Sequence, residues 1–107
     1  MSAAVETNLI SISIFTPKPQ HFDAFVATQV ENLPSLGRLS GSRGAQFYVA
    51  KDGRHAILVS HFEDQATLRD FRESDAFRAH RDKLQALLES GDTGFYTLAY
   101  SREEEPA

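Results

Sequence analysis

The stretch Gln46-Phe47-Tyr48-Val49-Ala50-Lys51-Asp52-Gly53-Arg54-His55-Ala56-Ile57-Leu58-Val59-Ser60-His61-Phe62 decides the fold of this chain. Two β-rich runs, 46–50 and 56–62, flank an Asp-Gly pair. Glycine tolerates positive φ, so Asp-Gly between such runs signals a tight hairpin, and the runs are read as antiparallel strands. Alternation sends His61 and Phe62 to opposite faces of the resulting sheet.

Upstream, residues 9–15 alternate Ile10, Ile12 and Ile14 with Ser11 and Ser13, the period of two expected of a strand with unlike faces. Pro17 and Pro19 close that strand. Phe22, Phe25, Val26, Val30 and Leu33 then recur at helical spacing, Asp23 suits the first turn electrostatically, and the helix is expected to end near Pro34. Residues 35–44 hold three glycines, three serines and two arginines, which reads as a mobile loop.

Downstream of the hairpin, Asp64 can cap a helix that buries Leu68 and Phe71. Ser74 can cap another whose face is Phe77, His80, Leu84, Leu87 and Leu88, with Gly91 as its stop. Residues 95–101 read as a last strand. Residues 102–107, with three consecutive glutamates and a proline, read as a frayed tail, leaving an ordered core of about 8–101. No linker or internal repeat interrupts the chain, so residues 1–107 are read as one domain.

The element order is strand, helix, strand, strand, one or two helices, strand. That order fits an α+β, ferredoxin-like four-stranded antiparallel sheet with helices on one face. Helices cover one face only, yet both parities of the strands carry large apolar groups: Ile57 and Val59 against Leu58 and Phe62, Phe47 and Val49 against Tyr48, Phe95 against Tyr96, Leu98 and Tyr100. A homodimer packed sheet on sheet is the economical cover for the second face.

Composition bounds what the chain can do. At 107 residues with 41% hydrophobic residues it suits one globular domain. There is no apolar run of membrane-spanning length and no secretory signal pattern at the N-terminus, so no membrane association and a cytoplasmic location are expected. Cysteine is absent, which removes disulfides, thiolate nucleophiles and thiolate metal sites. A net charge of −4 argues against nucleic acid, and the basic residues between Arg69 and Lys83 are diluted by Asp70, Glu73, Asp75 and Asp82 into a solvated face. The four histidines have no metal-ligand spacing. Gly37, Gly41 and Gly44 do not open a helix after a strand as a phosphate loop must, and signatures of serine nucleophiles and paired glycosidase carboxylates are missing.

The element order, the Asp52-Gly53 hairpin, the junction Phe62-Glu63-Asp64-Gln65-Ala66 and the segment Ser74-Asp75-Ala76-Phe77-Arg78-Ala79-His80 together resemble the antibiotic biosynthesis monooxygenase family of dimeric α+β barrels. The resemblance spans residues 8–100. It implies a small homodimeric enzyme that oxidises an aromatic or quinol substrate with O2 and needs no flavin, haem or metal. A related branch binds and degrades haem, using an asparagine on the first strand, a tryptophan ending the third and a histidine on the following helix. Asn8 matches the first of these positions, but Phe62 stands where the tryptophan would and the chain contains no Trp. Haem therefore ranks below the other readings.

Cofactor-free oxygenation requires a base in an enclosed pocket, to ionise a C–H or phenolic O–H so that the anion can reduce O2. Histidine suits this because its unperturbed pKa is near neutral, and apolar surroundings favour the proton-accepting form. His80 falls within roughly 40° of the centre of the Phe77, Leu84, Leu88 stripe at about 100° per residue. Two readings of it stand: a catalytic base, or a core-edge histidine bonded to backbone or water.

Asn8 is read as a donor to a substrate carbonyl or oxyanion, or as a strand end bonded to local backbone. Phe62, Phe71 and Phe77 would wall an aromatic ligand's pocket or form plain core. Arg81 lies near the buried stripe, where it would steer an anionic substrate or remain surface charge. His61 is assigned to the interface, His21 and His55 to the surface, and Tyr48, Tyr96 and Tyr100 to interface packing or phenolic donation. A non-catalytic ligand-binding or dimerisation module of the same fold is the alternative to the enzyme.

Overall fold

Each element begins where the sequence supplies local geometry for it. The structure, a computed structural model, describes residues 9–40 and 42–102, with the side chains of 39 and 40 excepted. In chain order the elements are β1 (Leu9–Pro17), a 3-10 turn (Pro19–His21), α1 (Phe22–Ser40), β2 (Gly44–Val49), β3 (Ala56–Phe62), α2 (Gln65–Arg72), α3 (Asp75–Gln85) and β4 (Leu88–Tyr96). The four strands form one antiparallel sheet in the order β2-β3-β1-β4, the ferredoxin-like arrangement the sequence implied.

The β2–β3 hairpin closes as its turn chemistry dictates. Gly53 has φ +70°, a left-handed conformation that favours glycine, and Asp52 Oδ1 accepts from Arg54 N at 2.7 Å. Both expected helix caps form. Thr67 N donates to Asp64 Oδ1 at 2.8 Å, and Phe77 N donates to Ser74 Oγ at 3.2 Å.

Several expectations are corrected. Helix α1 runs through Pro34 to Ser40, so most of the segment read as a mobile loop is helical. Proline removes one intrahelical bond, to the carbonyl of Val30 four residues earlier. Val30 is 62% exposed, so the break falls on an exposed part of the helix, while burial of Leu36 beyond the proline favours continuing it. The same exposure takes Val30 out of the expected buried stripe, whose centre is Phe25, Gln29 and Leu36.

The last strand is Leu88–Tyr96, not 95–101. Pairing overrides propensity here: β4 follows a two-residue turn after α3 and aligns Leu88 with Pro17 and Tyr96 with Ile10, so Leu98 and Tyr100 lie beyond the sheet. Correspondingly, Leu87 and Leu88 lie past the end of α3, and Gly91 is a strand residue; both leucines still pack against the core. Of the tail expected over 102–107, only Arg102 falls within the described residues.

Parity decides what the helices cover. Ser13 pairs with Leu58 and Thr93, and Phe15 with Ala56 and Gly91, so these residues share the face beneath the helices. At one end of that face Phe25, Ala56 and Leu84 form the core, with Phe15 and Phe47 packed against it. The Phe15 and Phe25 ring centroids are 5.1 Å apart. Ile10, Ile12, Ile14, Ile57 and Val59 have the opposite parity and line the outer face of the sheet. None of these is fully buried, and Ile14, Tyr48 and Tyr96 on the same face are 47%, 54% and 50% exposed.

Candidate active site

Between the sheet and the helices lies a cavity of about 430 Å³, built by the alternation that sends the serines of β1 inward. Its floor is Ser11 and Ser13 of β1, Leu58 and Ser60 of β3, and Gly91 and Thr93 of β4. Ser13 Oγ and Thr93 Oγ1 share a hydrogen bond of 2.8 Å, so part of the floor is polar and self-satisfied. The small residues of β4 leave the volume that larger strand formers would fill.

One wall is aromatic. Phe62 ends β3 and is 2% exposed; its ring lies 5.8 Å from that of Phe71 on α2, which in turn lies 5.0 Å from Phe77 on α3. The Ser74 cap fixes the last pair, because Ser74 Oγ accepts from Phe77 N and donates to Phe71 O at 2.7 Å. Two guanidinium groups stand beside this wall. Arg72 lies 5.8 Å from the Phe77 ring centroid and 5.3 Å from that of Phe95, and Arg81 lies 6.0 Å from Phe77.

The lining also carries His80 and Gln29. His80, one turn before Leu84 on α3, is 8% exposed, and Gln29 on α1 is fully buried. His80 Nε2 and Gln29 Oε1 are 2.6 Å apart. An amide oxygen only accepts, so His80 Nε2 carries the proton and donates to it. Among the described residues, His80 Nδ1 and Gln29 Nε2 are buried without hydrogen-bond partners. Burial, reinforced by the charge of Lys83, pushes the His80 pKa below its ordinary 6.5. At neutral pH the ring is therefore uncharged, with a bare nitrogen on a side chain that lines the cavity.

Of the residues singled out from the sequence, Phe62, Phe71, Phe77, His80 and Arg81 all line this one cavity. Asn8 lies outside the described residues. His61 takes the outer sheet face, as its parity requires, and its Nε2 lies 3.1 Å from Gln46 Oε1. His55 is exposed beside Asp52, and His21 is half-buried at the 3-10 turn. Sequence reasoning missed Gln29, Arg72 and the serine floor. The signal for Gln29 was an amide at the centre of an otherwise apolar helical stripe. Among the described residues no group of His, Asp and Glu is placed to hold a metal ion, and no helix is long and apolar enough to cross a membrane.

Comparison with known proteins places this geometry in context. The sequence model of the antibiotic biosynthesis monooxygenase family matches residues 9–83, and no curated protein matches the chain. Among solved structures, the chain is similar to SnoaB, a cofactor-independent oxygenase from Streptomyces nogalater, with 18% identity, a TM-score of 0.75, and 92% of this chain and 99% of that one covered. It is also similar to protein SO0527 from Shewanella oneidensis (21% identity, TM-score 0.77, 86% and 91% covered). A third is Rv0793 from Mycobacterium tuberculosis (21% identity, TM-score 0.72, 92% and 99% covered). At these identities the likeness shows a shared fold.

Proposed function

Because the chain belongs to the antibiotic biosynthesis monooxygenase family, we propose that it is a cofactor-independent monooxygenase acting on a small aromatic or quinol molecule held in the cavity of about 430 Å³. The observation that carries this reading is His80: neutral at pH 7, its Nδ1 unpartnered, on the wall of a cavity large enough for an organic guest. The Phe62, Phe71 and Phe77 rings stack against the guest, and Arg81 faces its polar end. No protein or cofactor electron is needed. His80 takes a proton from a phenolic O–H or an activated C–H, and the anion gives an electron to O2. Recombination of the radical pair forms a C–O bond, the peroxide anion takes the proton back from His80, and loss of water from the hydroperoxide leaves a new carbonyl, so a CH2 group and O2 become C=O and H2O.

A second copy of the chain covers the outer sheet face, making the dimeric barrel. Support comes from the apolar residues of that face, Ile14 at 47% exposure among them, on a domain whose helices all lie on the other side.

The test is oxygen uptake with a panel of quinols and anthrones, comparing the protein with its His80→Ala variant. Loss of the base lowers kcat by about 10²–10⁴-fold. Full retention of activity removes His80 from the mechanism.

A further inference from the structure

His80 carries two nitrogens, and only one can be the base. We infer that Gln29 is the positioning residue that makes the choice: its carbonyl oxygen holds the Nε2–H tautomer of His80 and leaves Nδ1 as the unprotonated nitrogen of a side chain that lines the cavity. This deepens the oxygenase reading and rests on it for its catalytic meaning, though the tautomer itself is a property of the resting protein.

Three observations converge on the pair. Gln29 is fully buried in a helical stripe where apolar residues are the rule, and desolvating an amide costs free energy unless its groups are bonded. Its Oε1 has that bond, at 2.6 Å to His80 Nε2. The two atoms left over, Gln29 Nε2 and His80 Nδ1, are both buried without partners among the described residues, and both side chains line the same cavity. In a native structure, orphaned buried polar atoms call for a ligand or water to satisfy them. The orientation of a histidine is set by the bond its second nitrogen makes, so a fixed acceptor on Nε2 keeps Nδ1 as the proton-accepting atom.

The leftover atoms also differ in kind. Nδ1 accepts, whereas the Gln29 amide nitrogen donates. A guest that surrenders a proton to Nδ1 gains charge on a neighbouring oxygen, and the amide N–H of Gln29, uncommitted and on a side chain that lines the same cavity, is a donor for it. Gln29 thereby fills from α1 the polarising role that the sequence had suggested for Asn8.

The test reads the imidazole ring directly, by long-range nitrogen–proton correlation on the full, isotopically labelled chain without substrate, and then follows its titration. The wild-type ring is expected as a single Nε2–H tautomer. Gln29→Glu keeps an acceptor at the same place, so the tautomer persists while the titration midpoint of His80 rises beside the new carboxylate. Gln29→Met, close in volume and apolar, loses the single tautomer and gives a mixture. The other charges around the ring are unchanged in both variants: Lys83 and Arg81 on its own helix, Arg72 on α2 and Glu89 on β4. A wild-type ring protonated on Nδ1, or an undisturbed tautomer in Gln29→Met, overturns the assignment. A His80→Ala protein that oxidises substrate at full rate would instead defeat the oxygenase reading and leave the Gln29 assignment intact.

Discussion

At the scale of single residues, burial of His80 links site chemistry to stability. Its folded-state pKa lies below 6.5 because the charged ring is poorly solvated. On acidification the unfolded chain therefore takes up this proton first, and protein stability falls as pH drops from about 6.5 toward the folded-state value. Above 6.5 the ring is neutral in both states and the contribution is flat. Thermal melts between pH 5 and 8 should show this decline, and the His80→Leu variant should lack the part of it below pH 6.5. An unchanged profile in the variant would mean that other groups govern the acid limb. His80 was legible in the sequence because it falls in a helical stripe of apolar residues. Gln29 was harder to see: fifty-one positions away, it acquires meaning only when α1 and α3 pack together.

Among the elements, the α2–α3 junction holds the aromatic wall through one hydroxyl. Ser74 Oγ caps α3 and also donates to the last turn of α2, tying Phe71 to Phe77. Ser74→Ala is expected to lower stability by about 1 kcal/mol, measured by denaturant unfolding. It should also weaken binding of an aromatic guest, since the two rings lose their common anchor; unaltered affinity would separate the cap from the site. Caps and the Asp-Gly turn were readable because they act within a few residues. The helix through Pro34 and the shifted β4 were not, because each is decided by distant partners. Leu36 is buried beyond the proline, and a glycine-containing strand is held by its pairing with β1 from Ile10 to Pro17.

For the whole molecule, the outer face of the sheet is the exposed apolar surface, with Ile14, Tyr48 and Tyr96 on it. Ile12 and Val59 are paired neighbours at its centre, on the side opposite the cavity. Ile12→Glu places a charge where a second sheet would pack, and is expected to convert a dimer to a monomer in sedimentation at micromolar concentration. Its melting temperature should then cease to depend on protein concentration. A wild-type protein that sediments as a monomer would contradict sheet-on-sheet assembly. The sequence by itself determined the strand alternation, the hairpin, the caps and the apolar stripe that contains His80, because periodicity and turn chemistry are local. Only the tertiary structure decided that the serines of β1 face the helices and the isoleucines face outward. Alternation defines two faces without saying which is covered, and that choice is made by the combined packing of α1, α2 and α3 on Phe15, Ala56 and Phe62, with a hollow left above Ser11 and Ser13.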